Sequence, residues 1–198
     1  PFYWEVNLNS WLQEKGYVSF LDAENEPRGP LFGGVDWSRT QAYALGLNGL
    51  YVNLSGREMN GMVSPGEDYQ EVLDRLEKDL LEMTDPRNGR KVVSLVLKAG
   101  RDFTPATPNA PDILVGYARG YRSSWQSPLG EFPEQIFLDN VDPWSADHSV
   151  DFREVPGVLL SNRRIILDDP GLHDLTVTVL DEFGVSRLPE MQGQDCLE

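Results

Sequence analysis

Apolar residues at Leu8, Trp11 and Leu12 share one face of a helix, so the spacing predicts a short helix over Leu8–Lys15, with Asn7 at its start and Gly16 closing it. Tyr17–Leu21 reads as a short extended piece, and the polar, Gly- and Pro-rich Asp22–Gly34 as a loop. Leu50–Leu54 has the pattern of a strand, and Asn48-Gly49 is a hairpin signal in front of it. Arg39, Thr40 and Asn53 are read as turn and edge chemistry in preference to substrate contacts.

The longest periodic segment follows. Tyr69, Val72, Leu73, Leu76, Leu80 and Met83 recur at helical spacing, while Asp68, Glu71, Asp74, Glu77 and Lys78 face the other way as a solvated half. Ser64-Pro65-Gly66-Glu67 has the composition of a capped start. Asp85–Gly89 ends the helix and turns the chain into the apolar run Lys91–Leu97, which suits a strand covered on both faces. A helix feeding a buried strand is half of a βαβ unit and points to an α/β sheet.

Pro111–Gly116 is a second short buried strand, and Ser127–Asp142 a loop whose Phe132, Ile136, Phe137 and Leu138 need shelter. Val155–Leu160 reads as a further buried strand fed by the loop that carries Asp147 and His148. Asp174 is placed to cap a last helix, with Leu175, Val179, Leu180 and Phe183 on its buried face and Gly184 at its end.

Composition narrows the partners. The 17 Lys and Arg against 32 Asp and Glu leave a net charge of −15, which disfavours a nucleic-acid duplex or an anionic membrane surface. No run approaches the roughly 18 apolar residues of a membrane span. One cysteine, Cys196, excludes an intrachain disulfide and any zinc-ribbon spacing, and leaves the compartment open. The chain begins at Pro1 without an initiator methionine and ends Leu-Glu, which suggests a piece cut from a longer protein.

Local chemistry is sparse. The sequence has no Gly-x-Ser-x-Gly elbow, P-loop, His-Glu-x-x-His or Cys-x-x-Cys, and its two histidines are His148 and His173. A catalytic zinc normally takes three protein ligands, and here only His148, with help from a carboxylate, is a candidate. Taken alone, a histidine beside an aspartate is more often a hydrogen-bonded loop residue. Arg119, Tyr121, Arg122 and Trp125 form a cluster able to hold a phosphate or a sugar, or simply to pack.

The order of segments carries more than any one of them. Val6–Leu12 with Gly16-Tyr17, Asp36–Thr40 with Ala42–Ala44, Leu50–Leu54 with Gly56-Arg57-Glu58, Asp147-His148 before Val155–Val158, and Asp174-Leu175 with Thr178–Leu180 and Phe183-Gly184 stand in one sequence. Together they resemble the C-terminal part of the alkaline phosphatase superfamily, specifically the type I phosphodiesterase/nucleotide pyrophosphatase family. The resemblance implies an α/β fold containing part of an alkaline-phosphatase-like sheet with flanking helices and loop-rich excursions. Residues 1–198 would be the C-terminal portion of one catalytic domain with no internal boundary.

It also implies a hydrolase of phosphoric esters that uses two metal ions, usually Zn2+, and a Ser or Thr nucleophile. His148 matches the family's late histidine ligand, whereas no ligand role transfers to Asp147. The nucleophile and most other ligands of the family precede the segment that begins here at Phe2, so the expected partners are the missing N-terminal half and a phosphorylated or phosphodiester substrate. The isolated chain is expected to be inactive and to self-associate through open sheet edges, and a periplasmic or extracellular parent fits as well as any other. The alternative is a non-catalytic binding or assembly module that keeps the fold.

Overall fold

The computed structural model describes residues 1–21 and 29–198. β1 (Trp4–Val6) is followed by α1 (Leu8–Glu14), which buries Leu8, Trp11 and Leu12 as their spacing requires. Asn7 stands at the helix start without capping it through its side chain. Its carbonyl accepts from Trp11 N, and its amide Nδ2 donates to the Gln135 carbonyl at 2.6 Å. Gly16, at φ 81°, closes the helix in the left-handed conformation that a residue with a Cβ adopts at a cost. Of the loop expected over Asp22–Gly34, residues 22–28 lie outside the described residues, and residues 30–34 form turns.

The Asn48-Gly49 signal does form a hairpin. β2 (Ala42–Ala44) pairs antiparallel with β3 (Gly49–Val52) in the register Ala42↔Val52, Tyr43↔Tyr51 and Ala44↔Leu50. α1 is bound to this edge by Asn9, whose side chain accepts from Ala44 N at 2.8 Å and donates to Ala44 O at 3.0 Å, as a neighbouring strand would.

α2 (Glu67–Glu82) buries Val72, Leu73, Leu76 and Leu80, each contributing roughly 1.5–3 kcal/mol of transfer free energy. It starts after Gly66, not at Ser64: Gly66 has φ 97° and ψ −125°, so the chain is still turning there, and Glu67 and Asp68 take up the positive end of the helix dipole. The polar half is not wholly solvated either. Asp74 and Glu77 lie 2.6 and 2.8 Å from Nζ of Lys98, which is buried on the strand beneath.

After the small hairpin β4 (Thr84–Asp85) and β5 (Arg90–Lys91) come β6 (Val93–Lys98) and β7 (Ile113–Tyr117), joined antiparallel across an irregularity between Val93 and Leu95. The sheet order is β2-β3-β7-β6 with every adjacent pair antiparallel, so β3 and β6 run the same way with β7 between them. The expected βαβ unit is therefore present in split form, and the whole is an α/β arrangement of helices and sheets. A second sheet, β8-β1-β9, pairs β1 parallel to β8 (Tyr121–Ser123) and antiparallel to β9 (Phe137–Asp139), a strand that the loop-like composition of 127–142 concealed.

The run Val155–Leu160 is not a buried strand. It has no strand pairing, and Val158 and Leu160 are more than four-fifths exposed. No neighbouring strand among the described residues offers it a ladder, and apolar composition alone does not build one.

The chain forms two compact units, Pro1–Pro156 and Gly157–Glu198. In the second, α3 (Leu172–Glu182) starts at Gly171, whose N–H donates to Asp174 Oδ2 at 2.8 Å. Its buried face is Asp174, Val177 and Thr178; of the expected face, Leu175 and Leu180 are half-buried and Val179 and Phe183 exposed. The reason is the returning tail. Cys196 N donates to Thr178 Oγ1 and Gln194 N to Asp174 Oδ1, both at 2.8 Å, so the tail packs on the polar side of the helix. Ile166 N and Glu198 N close a short bridge between Arg164–Ile166 and the C-terminus.

Candidate functional site around His148

His148 lies on the segment that runs back across the end of β7. Asp147 forms an Asx turn over it, accepting from Ser149 N at 2.7 Å, and its other oxygen lies 3.0 Å from Nε of Arg122. Asn48, in the β2–β3 turn, donates to the carbonyls of Val115 and Ser149 at 2.6 and 3.2 Å. Asp151 N donates to Tyr117 O at 2.9 Å, and the Asp151 carboxylate accepts from Ser94 Oγ at 2.7 Å and from Arg153. His148 is thus held between two anchored points. Its own side chain is exposed and makes no hydrogen bond among the described residues, and it borders a hollow of about 230 Å³ walled by Leu95, Leu97, Leu114, Val115 and Phe152.

Behind Asp147 stands Arg122, 1% exposed, with its guanidinium 4.0 Å from the ring centre of Trp125, 5.0 Å from Phe2 and 5.5 Å from Trp144. Nε donates to the Ser123 carbonyl at 2.8 Å, while Nη1 and Nη2 have no hydrogen-bond partner among the described residues; Glu5 approaches Nη1 only to 3.9 Å. Burial raises the Glu5 carboxyl above its ordinary range, Arg122 pulls it back, and Asp142 and Asp147 push it up again. In contrast, the Asp151 carboxyl is lowered to about 2, chiefly by the hydrogen bonds of Arg153.

Of the residues singled out in the sequence, Asp147, Arg122 and Trp125 come together, whereas Tyr121, next to Arg122 in β8, packs on Trp4 and donates to Asp85. Arg122 serves packing and an ion pair. Arg39 is exposed, and Thr40 and Asn53 are buried in turn chemistry, Thr40 Oγ1 donating to Asp36 O at 2.9 Å and Asn53 Nδ2 to Thr40 O at 2.8 Å. His173 is exposed on α3, in the other unit. Sequence reasoning missed Asn48 and Ser94: an Asn-Gly turn announces a hairpin, not a side chain that reaches two carbonyls, and Ser94 lay inside an apolar run.

As a metal centre the donor set is incomplete. Among the described residues, no three His, Cys, Asp or Glu side chains converge on one point, and both oxygens of Asp147 are already engaged. What the segment offers is one exposed, unengaged imidazole. Comparison of the chain with protein-family models, curated proteins and solved structures finds no match.

Proposed function

We propose that the chain is the C-terminal part of a metal-dependent phosphoric ester hydrolase of the phosphodiesterase/nucleotide pyrophosphatase kind, in which His148 is one metal ligand. The observation that carries this reading is the treatment of His148 itself. Its neighbours on both sides are anchored, and its imidazole is exposed with both ring nitrogens unengaged, so either is open to a metal. The order of motifs supports it independently. Metal ions bound there would supply electrophilic stabilisation of the attacking and leaving oxygens of a phosphoric ester. The residues of this chain position one imidazole, and no catalytic step is assigned to them.

The test is a Zn2+ titration and a p-nitrophenyl phosphodiester assay on the chain and on His148→Ala. The expected result is weak Zn2+ binding that His148→Ala removes, and no turnover by either form. Zn2+ binding unchanged in His148→Ala would overturn the ligand assignment. Turnover that requires His148 would overturn the statement that the site is completed from outside residues 1–198.

A further inference from the structure

At the opposite end of β3 from the His148 hollow lies a pocket of about 320 Å³ lined by Phe32, Trp37, Tyr43, Asn53, Glu58 and Met59, with Asn60 at its margin. Three of its walls are aromatic rings set at steep angles to one another. Trp37 and Tyr43 lie 5.2 Å apart at 89°, Phe32 and Tyr43 5.5 Å apart at 83°, and Phe32 and Trp37 5.4 Å apart at 61°. In a core, such a corner is filled by an aliphatic side chain. Here the apolar residue at its mouth, Met59, is 97% exposed.

Two observations separate this pocket from ordinary packing. Leu31 and Phe32 have φ of 57° and 60°, a left-handed backbone that costs roughly 1–2 kcal/mol for each residue bearing a Cβ. It is held there by Leu31 N donating to Leu129 O at 2.8 Å and Phe32 N donating to Gly130 O at 2.9 Å. The second observation is Asn53, which is fully buried. Its Nδ2 donates to the carbonyls of Trp37 and Thr40 at 2.8 Å each and of Asn60 at 3.3 Å, which fixes which end of the amide is nitrogen. Its Oδ1 has no hydrogen-bond partner among the described residues, a deficit of about 1–3 kcal/mol for a buried acceptor.

The electrostatics select the kind of molecule that the aromatic corner would take. Glu58 borders the pocket and accepts from Tyr43 Oη at 3.3 Å and from Arg57 Nε at 2.8 Å. Arg57 is also clamped by both oxygens of Asp112, at 2.9 and 2.6 Å, so this group carries one positive charge against two negative ones. Aromatic walls beside a carboxylate excess favour a small organic cation.

We propose that this pocket binds a small alkylammonium cation, with its charge set against the rings of Phe32, Trp37 and Tyr43 and beside the Glu58 carboxylate. The site does not depend on the role of His148. The probes are trimethylammonium chloride and tert-butanol, which have similar shape but differ in charge, titrated at constant ionic strength while the Trp37 indole N–H and Met59 methyl resonances are followed by NMR, the Met59 methyl alone in Trp37→Leu. Trimethylammonium is expected to give a saturable shift and tert-butanol to bind at least about tenfold more weakly, the ratio that a largely desolvated cation–π contact supports. Trp37→Leu should abolish the binding and Glu58→Gln weaken it severalfold, with the remaining resonances unchanged. Equal affinity for the two probes, no saturable shift in the unaltered chain, or undiminished binding by a folded Trp37→Leu chain would overturn the proposal.

Discussion

Arg57 and Arg122 belong to the same unit and face opposite circumstances. Arg57 meets Asp112 through two parallel hydrogen bonds, donates to Val52 O at 2.7 Å, and shares Asp112 with Tyr69 Oη and Val52 N, each at 2.7 Å. Every atom of the Asp112 carboxylate is used, and hydrogen bonding to Asp112 raises the guanidinium above its already high ordinary value, against the pull of burial. Arg122 is the more deeply buried of the two, yet it rests on aromatic faces and leaves both Nη groups unpaired. The first arrangement fastens β3, β7 and α2 together. The second holds a cation on aromatic faces with donor capacity unspent, so part of its desolvation is not offset by hydrogen bonds.

The largest expected effect comes from breaking the complete arrangement. Asp112→Ala leaves Arg57, Val52 N and Tyr69 without their common acceptor and is expected to cost about 3–5 kcal/mol in urea unfolding. The double variant Arg57→Met/Asp112→Leu should recover only part of that loss, because Val52 N and Tyr69 Oη still lack an acceptor and Glu58 loses Arg57. A smaller effect, less than half as large, is expected from Arg122→Met: Asp147 keeps Ser149 N, and Glu5 lies 3.9 Å from Nη1, beyond hydrogen-bond reach. A loss equal to that of Asp112→Ala would show that the two arginines are equivalent after all.

The smallest effect is on acid stability. The carboxyls of Asp151, at about 2, and of Asp85 are lowered in the folded chain, Asp85 because hydrogen bonds from Arg87 outweigh its burial. Both contribute stability above the unfolded value of about 3.9, and that contribution is lost as pH falls below it, for Asp151 toward about 2. Glu5 acts in the opposite sense, since a raised folded value makes its contribution grow as pH falls. Arg153→Leu should therefore move the acid midpoint upward and Glu5→Gln should leave it nearly in place, as followed by circular dichroism.

Much of this architecture is legible in the residues. Periodicity located α1, α2 and the hairpin at Asn48-Gly49 because in each the apolar face and the turn chemistry agree. It failed where composition had no partner to act on: Val155–Leu160 is apolar but unpaired, and α3 turns its polar side inward because Thr178 and Asp174 receive the returning tail. At the candidate site the sequence pointed to His148 and Asp147 as neighbours. It gave no sign that Arg122, 25 residues earlier, would hold Asp147. Ion pairs across such separations depend on where strands lie, which local pattern does not encode.

The position of β7 has a consequence for synthesis of the chain. β3, α2 and β6 are complete by Lys98, but the strand that belongs between β3 and β6 begins only at Ile113. Until it arrives, two strand edges face each other across a vacant lane of about 9.6 Å, two strand spacings wide. A nascent chain paused in that interval presents unpaired backbone on both banks, and any extended segment within reach can occupy the lane before the proper strand does.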